Sequence, residues 1–244
     1  MNIIICENYE KMSDTAATII AAQVMTKPDS VLGLATGGAP VGTYERLVTL
    51  NIEGALDFSK VKTINLDEYI GIEKTNSQSY YHFMMENLFS KININRANIS
   101  LPNGLAADLA KECESYEELI EAVGGIDLQL LGIGHNGHIR FNEPGDYFSR
   151  LTHVVELTES TVNANARYFS SKSEVPRSAI TMGVGAIMKA GKILMLASGE
   201  QKADIISELV HGEITPRIPA SILKLHSDVT IIVDRLAGAG IDDL

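Results

Sequence analysis

Short aliphatic runs recur along the chain, each followed by a turn and then by a helical pattern. Five stand out: Val31–Ala35 (VLGLA), Val61–Leu66 (VKTINL), Asp127–Leu131 (DLQLL), Lys192–Ala197 (KILMLA) and Val229–Val233 (VTIIV). Most are apolar nearly throughout, as a strand buried on both faces of a parallel sheet must be. A further strand is expected to start near Asn2. Helical patterns lie at Thr43–Leu50, Ser79–Phe89, Ala107–Val123, Thr161–Phe169, Gln201–Val210 and Ser221–Leu225. Strand, helix, strand at this spacing predicts an α/β fold. The sheet is doubly wound and mostly parallel, with helices on both faces, in the Rossmann-like manner. No Pro/Gly/Ser linker, charge block or internal repeat interrupts the pattern, so residues 1–244 read as one domain. Residues 141–177 have the weakest periodicity, and 145–177 is the candidate for a mobile cover.

Charge narrows the function classes. Lys and Arg number 20 against 31 Asp and Glu, a formal charge of -11. Such a chain has no general attraction for nucleic acid or an anionic membrane, so any anion must be held in a local pocket. No apolar run is long enough to span a bilayer. Cys6 and Cys113 fit no metal or redox spacing. With no signal-peptide pattern, they read as reduced thiols of a cytoplasmic protein.

In open α/β sheets the ligand lies beyond the carboxyl ends of the strands. Four of the five runs end in polar chemistry. VLGLA leads into Thr36-Gly37-Gly38-Ala39-Pro40, and VKTINL into Asp67-Glu68-Tyr69. DLQLL leads into Gly132-Ile133-Gly134-His135-Asn136-Gly137-His138, and KILMLA into Ser198-Gly199-Glu200-Gln201-Lys202.

Each feature has two readings at this point. Thr36-Gly37-Gly38 can bring a helix N-terminus against a phosphate, or can be a plain turn with a cap. It is neither a Walker A loop nor a dinucleotide fingerprint, since the Lys and the third Gly are missing. Lys202 and Arg167 are cations for the same anion, or solvated surface groups. Asp67 is an acid/base group or a turn former. His135 and His138 sit in a glycine loop with no third ligand nearby, which argues against a metal. His138 with Glu143 suits a general acid/base whose ring a carboxylate orients, or a structural histidine.

Taken together, these segments resemble the glucosamine-6-phosphate deaminase family over essentially the whole chain. The matching segments are Leu32–Pro40 (LGLATGGAP), Asn65–Tyr69 (NLDEY), Gly132–Pro144 (GIGHNGHIRFNEP), Asn165–Phe169 (NARYF), Thr181–Gly185 (TMGVG) and Gln201–Ala203 (QKA). The His138–Pro144 stretch is the most specific, because related 6-phosphogluconolactonases share the Gly-His turn but not Phe-Asn-Glu-Pro. The resemblance implies conversion of glucosamine 6-phosphate and water to fructose 6-phosphate and ammonia, with no redox cofactor and no metal. It implies that Asp67 moves the proton between C2 and C1 and that His138 opens the pyranose ring. Glu143 and Asn136 support His138, and Thr36, Gly37, Gly38, Arg167 and Lys202 hold the phosphate.

Two positions depart from the family pattern. Several members carry Asp where this chain has Asn136, which can hydrogen-bond an imidazole but adds no charge. A small residue is common where this chain has Arg140, whose cation is expected either to tune Glu143 or to point to solvent. The alternatives are a 6-phosphogluconolactonase-type hydrolase and a non-catalytic phosphosugar-sensing domain. The first is opposed by Asp67-Glu68-Tyr69 with Phe141–Pro144, the second by the absence of a basic helix-turn-helix. Activated hexameric members carry Arg, Lys and Thr where this chain has His153, Val155 and Glu156, and they extend further than Leu244. The expectation is a monomer or low-order homo-oligomer without allosteric activation.

Overall fold

The computed structural model describes residues 1–159, 162, 166, 169, 171 and 174–241. The chain opens with β1 (Asn2–Cys6), α1 (Tyr9–Thr26), β2 (Val31–Leu34), α2 (Val41–Ile52), β3 (Lys62–Asn65) and β4 (Asp67–Tyr69). Helix α3 (Tyr80–Met84) runs into a π-helical turn, Met85–Phe89, followed by β5 (Ile99–Ser100), α4 (Leu109–Ala122) and β6 (Leu128–Gly132). Then come β7 (His153–Glu156), β8 (Ser178–Thr181), α5 (Val184–Ile187) and β9 (Lys192–Ala197). A 3-10 turn, Glu200–Lys202, leads into α6 (Ala203–His211), and a 3-10 helix, Pro219–Leu225, precedes β10 (Val229–Asp234).

Seven strands form one sheet in the order β1-β10-β9-β6-β2-β3-β5. Every pairing in it is parallel. From β2 the chain winds outward through β3 to β5; from β6 it winds the other way through β9 to β10. The switch point therefore falls between β2 and β6, where such sheets open a ligand crevice. β2 and β6 pair only at Leu32↔Leu128 and Gly33↔Gln129. A Cβ on Gly33 would lie 2.1 Å from Gln129 Oε1, so any side chain there would force the buried Gln129 amide to move.

The near-continuous apolar runs have the expected cause. In β9, Ile193, Met195 and Ala197 enter one core cluster, while Leu194 and Leu196 enter the other. Both faces are buried, so the strand shows no polar alternation. β9 occupies the expected residues, and β2, β3, β6 and β10 differ from expectation by a residue or two at their ends.

Several elements differ from the sequence expectations. The sheet is joined by a second, three-stranded antiparallel one, β4-β8-β7. β4 follows β3 after a single residue, with no turn to mark the change of sheet. Asp67 is thus the first residue of a strand, paired with Thr181, and not a turn former. Helix α1 was not expected. Its buried side is Met12, Ser13, Ala16, Ala17, Ile20, Ala21 and Val24, mostly small residues that make a weak apolar stripe. Asn8 caps it by accepting from Lys11 N at 2.9 Å. Ser221–Leu225 belongs to a 3-10 helix opened by Pro219, not to an α-helix. The expected helix Thr161–Phe169 falls largely outside the described residues. No described helix is long and apolar enough to cross a membrane.

Candidate active site

The four polar strand ends of the sequence become neighbours, because β9, β6, β2 and β3 are adjacent in the sheet. Thr36 is buried just past β2, while Gly37 and Gly38 are exposed before α2 begins at Val41. Asp67 lies where the chain passes from one sheet to the other. Leu66 N donates to Leu34 O at 3.3 Å, and Met182 N donates to Leu66 O at 2.7 Å. The residue before Asp67 is thus held by both sheets, and Asp67 itself is only 1% exposed.

The partner of Asp67 is Arg140. Arg140 Nε donates to Asp67 Oδ2 at 2.6 Å, and Nη2 donates to Asp67 Oδ1. The same guanidinium donates from Nη1 to Thr36 O at 3.0 Å and from Nη2 to Thr36 Oγ1 at 2.9 Å. It lies over the ring of Tyr80 at 5.0 Å and that of Phe141 at 5.8 Å. Burial pushes the Asp67 carboxyl above its ordinary range, against the charge and hydrogen bonds of Arg140. This overturns both expectations for Arg140, which neither faces solvent nor pairs with Glu143. Its backbone explains the direction: φ is +57°, the left-handed region, so the side chain leaves the loop toward β4.

Beside Asp67, Glu68 accepts three backbone N–H bonds, from Tyr69, Tyr80 and Tyr81, each at 2.9 Å. Two of those donors lie in the first turn of α3, so Glu68 anchors that helix. Burial raises its carboxyl and the amides oppose the shift. This residue followed Asp67 in the expected motif but had no assigned task.

The third loop gathers Asn136, His138 and Glu143. Asn136 Nδ2 donates to Glu143 Oε2 at 2.8 Å, and Asn136 Oδ1 accepts from His138 N at 3.2 Å. His138 Nδ1 lies 3.6 Å from Glu143 Oε2, beyond hydrogen-bond length but close enough for a charge to be felt. The His138 ring packs flat on the loop backbone: a Cβ on Gly134 would sit 2.2–2.3 Å from three of its atoms.

Lys202 reaches the same loop from the fourth strand end. Its Nζ donates to Ile133 O at 2.8 Å, and burial lowers its ammonium below the ordinary lysine value. His135 Nδ1 lies 3.2 Å from Gln201 O and ties the two loops together. Arg167 lies outside the described residues. The role of Arg140, together with the cover of Tyr80 and Phe141, is what sequence reasoning missed. The available signal was a long cation set inside a glycine-rich loop, but its partner is 73 residues away. Among the described residues, no group of three or more His, Cys, Asp or Glu side chains could hold a metal ion.

Comparison with known proteins gives the family. The family model for glucosamine-6-phosphate isomerases/6-phosphogluconolactonase matches residues 7–232. The chain is 55% identical over 243 residues to the glucosamine-6-phosphate deaminase of Thermoanaerobacter sp. (strain X514), covering 100% of this chain and 96% of that one. It is 54% identical to that of Clostridioides difficile (strain 630), with 98% and 96% covered. Among solved structures, a monomeric glucosamine-6-phosphate deaminase superposes with a TM-score of 0.95 at 48% identity, over 98% of this chain and 100% of that one. A 6-phosphogluconolactonase from Leishmania guyanensis shares the fold, with a TM-score of 0.75 at 22% identity and 98% of each chain covered. The chain therefore belongs to the glucosamine-6-phosphate isomerase/6-phosphogluconolactonase family, on its glucosamine-6-phosphate deaminase branch.

Proposed function

We infer that this protein converts glucosamine 6-phosphate and water to fructose 6-phosphate and ammonia. The observation that carries the reading within the site is a division of labour. A buried carboxylate, Asp67, and a half-buried imidazole, His138, are held separately, past β3 and past β6, on either side of the end of β2.

The two groups suit two different proton transfers. Opening the pyranose removes the proton from the O1 hydroxyl, breaks the bond between C1 and the ring oxygen, and protonates that oxygen. One group that can accept and donate near neutral pH suffices, and His138 fills that role. Glu143 lies 3.6 Å from the ring, and Asn136 fixes its carboxylate. Isomerisation then takes the C2 proton and returns one to C1, while a proton of the substrate's ammonium passes to O1, leaving a hydroxyl at C1 and an iminium at C2. Asp67 carries this proton on one face. Water adds to the iminium carbon and ammonia leaves.

Thr36, Gly37, Gly38 and Lys202 hold the phosphate, and the sequence resemblance gives Arg167 the same task. Residues 1–244 act as one domain, and the cover proposed within 145–177 meets the Phe141–Pro144 loop through its described part. Ser149 Oγ, for example, donates to Asn142 Oδ1 at 2.8 Å. The monomeric relative supports a monomer or low-order oligomer. The test is release of ammonia and fructose 6-phosphate from glucosamine 6-phosphate, with 6-phosphogluconolactone as the control substrate. Hydrolysis of the lactone without deamination would overturn the reading.

A further inference from the structure

Both oxygens of Asp67 are occupied. The guanidinium of Arg140 grips them side by side, and the carboxylate is otherwise enclosed, at 1% exposure. A side-on fork uses the lone pairs that point away from the carboxylate carbon, the ones a base offers to an incoming C–H. The rest of the Asp67 side chain is buried. While this pair stands, Asp67 cannot reach a substrate proton, so Arg140 must leave it before isomerisation starts.

The other end of Arg140 indicates what draws it away. Its remaining hydrogen bonds go to Thr36 O and Thr36 Oγ1, the residue that opens the exposed Gly37–Gly38 turn at the switch point. An anion received at that turn lies beside a guanidinium already bonded to its first residue. Phosphate is a forked acceptor of the same kind as carboxylate and carries more charge. The guanidinium can then exchange one anion for the other. A sugar without a phosphate offers no such exchange. Arg140 is also the one described non-glycine residue with a positive φ. A long side chain in that conformation is disfavoured by its own Cβ, which shows that the surrounding contacts hold it there.

We propose that Arg140 is a specificity-determining positioning residue, a latch on Asp67 that the substrate's phosphate releases. Base chemistry then becomes conditional on an anion at the Thr36–Gly38 turn. Discrimination against unphosphorylated sugar exceeds what lost phosphate binding alone provides. The inference rests on the roles given above to Asp67 and to that turn.

The experiment compares glucosamine 6-phosphate with glucosamine, the latter with and without inorganic phosphate. Exchange of the C2 proton is read by NMR in deuterated water. In the wild-type protein, exchange on glucosamine is very slow and added inorganic phosphate accelerates it. In Arg140→Gly, which suits the positive φ, exchange on glucosamine rises at least about 10-fold, because two charge-assisted hydrogen bonds no longer have to break. The acceleration by inorganic phosphate is lost in that variant. Arg140→Gln, similar in reach but uncharged, gives the same result should the glycine variant fold poorly. An unchanged ratio between the two sugars in a folded variant overturns the latch. So does an equal loss on both sugars, which would make Arg140 a direct participant. Asp67→Asn is measured alongside. If it still exchanges C2 of glucosamine 6-phosphate, the role of Asp67 fails. If it does not, while the Arg140 variants leave the ratio unchanged, only the latch fails.

Discussion

Replacing Gly134 by Ala tests whether the placement of His138, rather than its mere presence, supports turnover. The backbone at Gly134 is not left-handed, so alanine brings no conformational strain of its own. The added methyl would stand 2.2 Å from His138 Cε1 and 2.3 Å from both ring nitrogens. An ordinary contact begins near 3.4 Å, so the ring must retreat by about 1 Å, the difference between 3.4 and 2.2. The retreat is cheap for the fold, because the obstacle is the end of a half-buried side chain and not backbone. For catalysis it is expensive. A displacement of about 1 Å at a reacting group can cost on the order of 100-fold, equivalent to about 2.7 kcal/mol of barrier. The expected result is kcat/KM lowered about 100-fold with glucosamine 6-phosphate, and a melting temperature within a few degrees of wild type. Steady-state ammonia release and thermal unfolding measure the two quantities. Wild-type kcat/KM in a protein shown to carry the substitution would refute the reasoning. A fall in activity matched by loss of the folded state would do the same, since it would place the cost in the scaffold.

Other outcomes follow from the same geometry. Asp67→Asn abolishes C2 exchange and ammonia release while substrate still binds, measurable by calorimetry. Lys202→Ala weakens phosphosugar binding about 10- to 100-fold, the value of a charge-assisted hydrogen bond; an unchanged KM removes Lys202 from the site. Because burial lowers the Lys202 ammonium, it loses its proton earlier than an ordinary lysine as pH rises. KM therefore climbs on the alkaline side at a lower pH than a solvated lysine would give, and Lys202→Arg moves that climb outward. β7 presents His153, Val155 and Glu156 at the positions where the family resemblance implies an activator's Arg, Lys and Thr, so initial rates are expected to be hyperbolic and unchanged by N-acetylglucosamine 6-phosphate.

Legibility differed by element for physical reasons. β9 was readable to the residue because five apolar residues, Ile193–Ala197, follow Lys192 between Gly191 and Ser198. β4, β7 and β8 have only three or four residues each, and β4 abuts β3 without a breaker, so no periodicity marks them. α1 escaped notice because alanines and a serine carry much of its buried side. In the site, Thr36, Asn136, His138 and Glu143 could be named because each follows an apolar strand in a polar loop, and Asp67 because it ends an apolar run, although it opens a second strand. The contact of Arg140 could not be. Its direction depends on a left-handed backbone angle, and its partner sits on another strand. Spacing in the sequence encodes neither.

The short pairing between β2 and β6 has a mechanical consequence. Two ladder positions join them, against five between β6 and β9. The seam is fastened at its amino-terminal end, where Asp127 N donates to Val31 O at 2.9 Å and Asp127 Oδ2 accepts from both Val31 N and Lys27 Nζ at 2.7 Å. Beyond Gly33 and Gln129 the two strands part. The sheet thus resembles two panels sharing a partly closed zip, one panel carrying β1, β10, β9 and β6, the other β2, β3 and β5. Sub-global opening should begin at the unfastened end and spread toward Asp127, so amides of β2 should exchange with solvent sooner than those of β9. A phosphosugar lying across the parting touches loops from both panels and acts as the missing teeth of the zip. At about 100 times its Kd such a ligand adds about 2.7 kcal/mol to the closed form, and the protection it confers should concentrate along β2 and β6.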